Sequence, residues 1–232
     1  MRVAQESRRA YAPPCMAVDM TELERAAIYR VISFRRDIRS FRPGVRVPDE
    51  VLQRILEAAH QAPSVGYSQP WDFILIRDPT ARRRIRASFL RCREVEAARF
   101  TPERRAQYLS YRLEGIQEAD LNLCVTVDLR PRDEAVLGTT AQPDALRMST
   151  CCAVQNLWLA ARSEGVGVGW VSIVETDVLR EVLRLPGGVE PVAYLCIGYP
   201  VEFRERPMLE ETGWRRHRPI DEATHWEQYR PQ

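Results

Sequence analysis

Seven consecutive residues, Arg35-Arg36-Asp37-Ile38-Arg39-Ser40-Phe41, gather three guanidinium groups around one carboxylate. Arginine forks match the oxygens of a phosphate, so the run suits capture of a phosphorylated ligand. It reads equally as a solvated surface on which Asp37 balances its neighbours. A second stretch, Ala62-Pro63-Ser64-Val65-Gly66-Tyr67-Ser68-Gln69-Pro70-Trp71, is a punctuated loop of small residues. Such a loop lets a planar ligand approach the backbone, or simply turns a helix into a strand. In a third, Gly165-Val166-Gly167-Val168-Gly169-Trp170-Val171-Ser172-Ile173, glycines alternate with larger residues up to a tryptophan. Glycine at that density weakens a strand, so something needs close access to the backbone. The register is not G-x-G-x-x-G and no helix follows, which excludes a Rossmann dinucleotide site.

Composition narrows the chemistry. The 232 residues carry 34 basic and 32 acidic side chains, a net charge of +2, so no global field favours nucleic acid or an anionic membrane. Any anion site must be local. Every basic residue is arginine, and the absence of lysine removes Schiff-base catalysis and the P-loop lysine. The six cysteines, Cys15, Cys92, Cys124, Cys151, Cys152 and Cys196, make no metal-like spacing with His60, His217 or His225. They read as small buried hydrophobes in a reducing compartment, with no metal centre. Residues 1–20 lack an apolar h-region and read as a flexible leader. No window holds eighteen apolar residues, so no membrane span is expected and the cytoplasm is the default location.

Several elements must position the three stretches. Thr21 and Glu24 form a capping box, and Leu23, Ala27, Val31 and Phe34 recur at helical spacing up to the arginine run. Pro48-Asp49 opens a second helix, and Phe73, Ile74, Leu75 and Ile76 read as a buried strand. Residues 79–116 read as two charged helices divided at Thr101-Pro102, and Tyr108, Tyr111, Leu113, Glu114 and Ile116 suit a lid over a pocket or an ordinary packed helix. Leu121, Leu123, Val125 and Val127 alternate with polar residues, the period of a half-buried strand. Residues 148–161 have almost no charge and predict a helix buried nearly all round, in the core of the domain or of a dimer. Short helix 177–185 and strand 192–199 complete a single α+β domain over 21–215, with 216–232 as a C-terminal arm.

Taken together, the R-R-x-x-R-x-F, A-P-S-x-x-x-x-Q-P-W and G-x-G-x-G-W stretches resemble the ordered signatures of the FMN-dependent nitroreductase fold. Within that fold the chain is similar to the BluB type, the 5,6-dimethylbenzimidazole synthases, from about Ala26 to Trp214. Ala153-Val154-Gln155-Asn156-Leu157-Trp158-Leu159-Ala160-Ala161-Arg162 also fits that type. It departs at Tyr67-Ser68, where bulkier apolar residues are expected.

The resemblance implies a central mixed β-sheet surrounded by helices, in an intertwined homodimer with two FMN sites built from both chains. Arg35, Arg36, Arg39 and Arg206 would hold the phosphate and ribityl chain. Ser64, Gly66, Gln69, Gly169, Trp170 and Val171 would lie along the isoalloxazine, with Leu113 covering the pocket. Asp37 and Ser172 distinguish the type, in which reduced FMN is itself the substrate. It reacts with O2 and is fragmented to 5,6-dimethylbenzimidazole, the lower ligand of vitamin B12, releasing erythrose 4-phosphate. Asp37 is then a candidate proton shuttle and Ser172 a hydrogen-bonding partner near flavin N5. A separate NAD(P)H-dependent flavin reductase would supply the reduced flavin. Two other classes stand beside this one: an NAD(P)H-dependent nitroreductase or dehalogenase in which FMN survives, and a non-enzymatic flavin carrier.

Overall fold

The computed structural model describes residues 19–130 and 135–230. Cys15, and the expected leader apart from its last two residues, lie outside that range. The sheet runs β1 (Trp71–Ile76), β2 (Leu121–Asp128), β4 (Val189–Gly198) and β3 (Gly167–Trp170), in that spatial order. All three ladders are antiparallel. The parallel component of the expected mixed sheet is confined, among the described residues, to an isolated bridge between Asp37 and Val168.

Two helical layers cover the sheet. On one face, α2 (Asp49–His60) and α5 (Ala145–Ser163) press Leu52, Ile55, Val154 and Leu157 onto Leu121, Leu123, Val125 and Ile197. On the other, α3 (Pro79–Ala97) and α6 (Thr176–Leu183) bring Ile85, Phe89 and Leu179 against Cys124, Tyr194 and Cys196. Each fully buried aliphatic contributes about 1.5–3 kcal/mol by leaving water. Because both faces are covered, every residue of β2 is buried, which corrects the half-buried expectation. Its polar alternates are accommodated inside, with Asn122 donating to the Cys196 sulfur at 3.3 Å. The alternation was a property of residue type and did not mark a wet face.

Helix ends follow local chemistry. The Thr21–Glu24 capping box starts α1 (Glu22–Phe34), Asp78 accepts from the amides of Thr80 and Ala81 ahead of α3, and Thr101 caps α4 (Pro102–Ser110). Gly165 leaves α5 with φ +71°, the left-handed turn that glycine adopts without strain.

Two helices are only partly covered within one chain. α5 is buried along one side, through Ser149, Ala153, Leu157 and Ala161, while Met148, Cys151, Cys152 and Gln155 are exposed. Helix α1 has no buried residue, and Leu23, Tyr29 and Ile32 are open. One chain supplies only one packing layer for these helices. The cysteines divide the same way. Burial pushes the Cys124 and Cys196 thiols up to about 12, as expected of inert core residues, whereas Cys151 and Cys152 stand on the uncovered side of α5.

Candidate active site

The arginine run is extended, not a charged helix surface. Arg35 ends α1 with ψ 132°, and the chain then runs beside β3, where the Ile38 amide donates to the Val168 carbonyl at 2.9 Å. Ile38 and Phe41 turn into the core, so the residues flanking Ile38, Asp37 and Arg39, face the other way. This packing explains the glycine-rich strand. A Cβ on Gly169 would overlap the Ile38 carbonyl oxygen, and one on Gly167 would sit 3.0 Å from the Ile38 side chain. The backbone access predicted at those glycines is used, in this chain, by Ile38.

The outward side chains line a cleft of about 260 Å³, closed on its far sides by Arg112 and Leu113 and by Arg204 and residues 206–209. Arg35 lies 4.9 Å over the ring of Trp158, a cation–π contact. Arg36 donates to the carbonyls of Ser33 (2.8 Å), Arg35 (2.7 Å) and Glu205, while its buried Nε has no partner among the described residues. Arg39 donates to the Trp170 carbonyl at 2.6 Å and pairs with Asp37. Arg206 is exposed and forms no ion pair among the described residues. By contrast Arg112 pairs with Glu118, and Arg204 with Glu211 at 2.8 Å. Positive charge is therefore left over at Arg35, Arg36 and Arg206, together with an unused buried donor. That is the donor set a phosphate requires.

Asp37 lies in the same cleft. Its Oδ1 accepts from the Trp170 amide at 3.0 Å, its Oδ2 meets Arg39, and 39% of the side chain remains open. Desolvation raises its pKa above the ordinary carboxylate value, against the lowering influence of Arg39, the Trp170 amide and Arg35.

The remaining predicted residues are not all brought here. Trp170 is outside the cleft lining but holds Asp37 and Arg39 through its backbone, and Leu113 lines the cleft. Val171 is buried in the core beside α6, and Ser172 is exposed in the loop after β3, outside the cleft lining. Ser64, Gly66 and Gln69 form a separate loop against α5, in which the Val65 amide donates to the Ser149 hydroxyl at 3.0 Å and the Gln69 amide to that of Ser64 at 3.0 Å. Gly66, Tyr67 and Gln69 all have positive φ, and Tyr67 projects almost wholly into solvent. Strain of this kind in non-glycine residues persists only where the surroundings enforce it.

Of the two readings of 108–118, packing accounts for most of the side chains, while Leu113 lines the cleft. Tyr108, Tyr111 and Ile116 are buried in their own chain, and Glu114 is occupied by Arg86 at 2.9 Å and the Ile116 amide at 2.6 Å. Helix α4 stops at Ser110, so aromatic spacing in this stretch marked packing. Conversely, Arg112, Met208 and Leu209 line the cleft without having been singled out. Their sequence signal was weak: an arginine beside Leu113, and an apolar pair two residues after Arg206.

The chain is similar to known proteins along most of its length. The model of the Nitroreductase family matches residues 32–199. A 5,6-dimethylbenzimidazole synthase of Rhodospirillum rubrum is 40% identical over 185 residues, covering 80% of this chain and 87% of the relative. One from Rhodobacter capsulatus is 33% identical over 200 residues, 86% of this chain and 96% of the relative. Among solved structures, oxidized iodotyrosine deiodinase bound to FMN and 3-iodo-L-tyrosine superposes with a TM-score of 0.64 at 22% identity, covering 76% of this chain and 91% of that one, and so shares the fold. With matches running through the arginine segment, β3 and both helical layers, this chain belongs to the nitroreductase family.

Proposed function

We propose that this chain is a 5,6-dimethylbenzimidazole synthase, which binds reduced FMN and fragments it with O2 to 5,6-dimethylbenzimidazole and erythrose 4-phosphate. The observation that carries this reading is the placement of Asp37, a carboxylate open to an arginine-lined cleft and held by the Trp170 amide and Arg39. Identity to the two synthases over most of the chain supports it.

Arg35, Arg36 and Arg206 are the groups to receive the phosphate, because their charge is unmatched, and the orphaned Arg36 Nε is one donor available to it. Arg39 keeps Asp37 oriented and lies toward the ribityl chain. When bound, the reduced isoalloxazine supplies the electron-rich ring that reacts with O2. Asp37 would take up and return protons at its carboxylate, a role favoured by desolvation, which raises its pKa above the ordinary carboxylate value. Ser172, exposed in the loop after β3, would present its hydroxyl near N5, and the backbone of 169–171 would follow the ring with the Val171 side chain kept in the core. Leu113 excludes water from one side.

The 64–69 loop lies against α5, whose outer side stays open, as does most of α1. A homodimer built on those surfaces would cover them and bring Ser64, Gly66 and Gln69 of one copy toward the cleft of the other. Among the described residues no helix is long and apolar enough to cross a membrane. A separate NAD(P)H-dependent flavin reductase in the cytoplasm would deliver reduced FMN.

The test is anaerobic binding of reduced FMN, admission of air, and mass analysis of products. Dimethylbenzimidazole with loss of flavin supports the reading. Intact FMN with steady NAD(P)H oxidation on a nitroaromatic or halotyrosine acceptor would replace it with a nitroreductase or dehalogenase, and intact FMN without turnover with a carrier.

A further inference from the structure

Both far walls of the cleft are fastened to one side chain, Trp214. Its ring is met edge-on by Phe100 and Tyr111 at centroid distances of 5.4 and 5.6 Å, and by a tilted Tyr108 at 6.3 Å. The Arg104 guanidinium covers it at 3.7 Å and also donates to the Trp214 carbonyl at 2.6 Å. One residue beyond Tyr111 the chain enters the cleft wall at Arg112 and Leu113. On the other side, the Trp214 amide folds back onto the Leu209 carbonyl at 2.9 Å, closing the short α7 helix (Met208–Glu211), whose approach, Arg206 and Pro207, forms the opposite wall. Gln107 adds a bond to the Thr212 carbonyl at 3.1 Å. The segment is also tied by the Arg36 bond to the Glu205 carbonyl, an internal Arg204–Glu211 pair and, just before it, Phe203, which packs on the core under the Arg162 guanidinium at 3.9 Å.

We propose that Trp214 is a positioning residue: clasped by Arg104 and the rings of α4 and its flanks, it fixes the 206–209 wall against the Leu113 wall and so presents Arg206 to the phosphate of the ligand. The inference rests on the cleft being the FMN phosphate site. A segment already ordered in the free protein loses little freedom when the ligand arrives, which raises affinity without adding a contact. The effect should fall on the phosphate specifically, since Arg206 is the wall's unpaired cation.

FMN and riboflavin differ by that phosphate, so their relative affinity reads the position of Arg206. Both are titrated by flavin fluorescence against the full-length wild type, Arg206→Ala, Trp214→Ala, Trp214→Phe and the Trp214→Ala/Arg206→Ala pair. Wild type should prefer FMN. Arg206→Ala and Trp214→Ala should each reduce that preference by about tenfold, one charge-assisted contact. The double variant should lose no more than either single one, and Trp214→Phe should keep most of the preference. Arg104→Leu, which leaves the rings in place, should act in the same direction if Trp214→Ala does not fold. Equal weakening of FMN and riboflavin by Trp214→Ala, an unchanged preference, or additive losses would overturn the clasp alone. A wild type without preference for FMN, or one whose preference ignores Arg206, would overturn the phosphate site and the clasp with it.

Discussion

The amide of Trp170 lies 3.0 Å from Oδ1 of Asp37, so the glycine-rich strand and the arginine run, 133 residues apart, meet at a single carboxylate. That bond sets the direction in which Asp37 faces the cleft.

Asp37→Asn keeps an oxygen to accept from Trp170 while removing the ionisable group. Binding of reduced FMN should stay within a few-fold of wild type, and dimethylbenzimidazole yield should fall by about 10²–10⁴-fold, the usual weight of a general acid–base group. Product quantified by mass spectrometry decides the point, and wild-type yield would remove Asp37 from the chemistry.

The raised pKa of Asp37 also has a sign in stability. Desolvation is the leading cause, and the folded chain holds this proton to higher pH than the unfolded chain, whose ordinary value is 3.8. The contribution is therefore fully present below that value and is lost as pH rises through the folded pKa. Urea midpoints of wild type relative to Asp37→Asn should fall between acidic and neutral pH; a difference that is flat or rising would contradict the assignment.

Gly169→Ala puts a methyl group into the Ile38 carbonyl oxygen, with backbone on both sides of the clash. A loss of about 1–3 kcal/mol or more is expected, along with flavin affinity, because the arginine run must move. Gly165→Ala makes no contact within 4 Å and is strained only by its φ of +71°, so about 1 kcal/mol should be lost without an effect on binding. Denaturant curves and flavin titrations on the two variants give the contrast.

Arg82 is buried and donates to the carbonyls of Ile116 (2.7 Å) and Ala119 (2.6 Å), holding the turn between Leu113 and β2. Arg82→Met leaves those carbonyls without their charged donor and should cost about 3 kcal/mol. Urea unfolding measures it, and a change under 1 kcal/mol would mean that water replaces the guanidinium.

Met148→Glu places a carboxylate on the open side of α5, beside Cys151 and Cys152. If that side is covered by a second copy, sedimentation should show monomers and flavin affinity should drop together. A variant that remains dimeric with normal affinity would move the interface elsewhere.

Much of the fold was legible because it is written locally. The capping box of α1, the proline starts of α3 and α4, and Gly165 after α5 place helix ends with a few neighbouring atoms each. The cleft was legible in part, through Arg35, Arg36, Asp37, Arg39, Leu113 and Arg206. Residue type read without its partners misled at β2, whose polar alternates are buried, and left two readings open around Tyr108 and Tyr111, whose rings pack on Trp214.

The order of elements, the absence of lysine chemistry and the ordered signature that marks the family are properties of the chain itself, since each depends on identity and near spacing. Which carboxylate faces the cleft, which arginines stay unpaired, and that Gly169 yields its space to Ile38 were decided by the tertiary structure. Those outcomes depend on distances between segments more than a hundred residues apart, and packing against the sheet sets such distances.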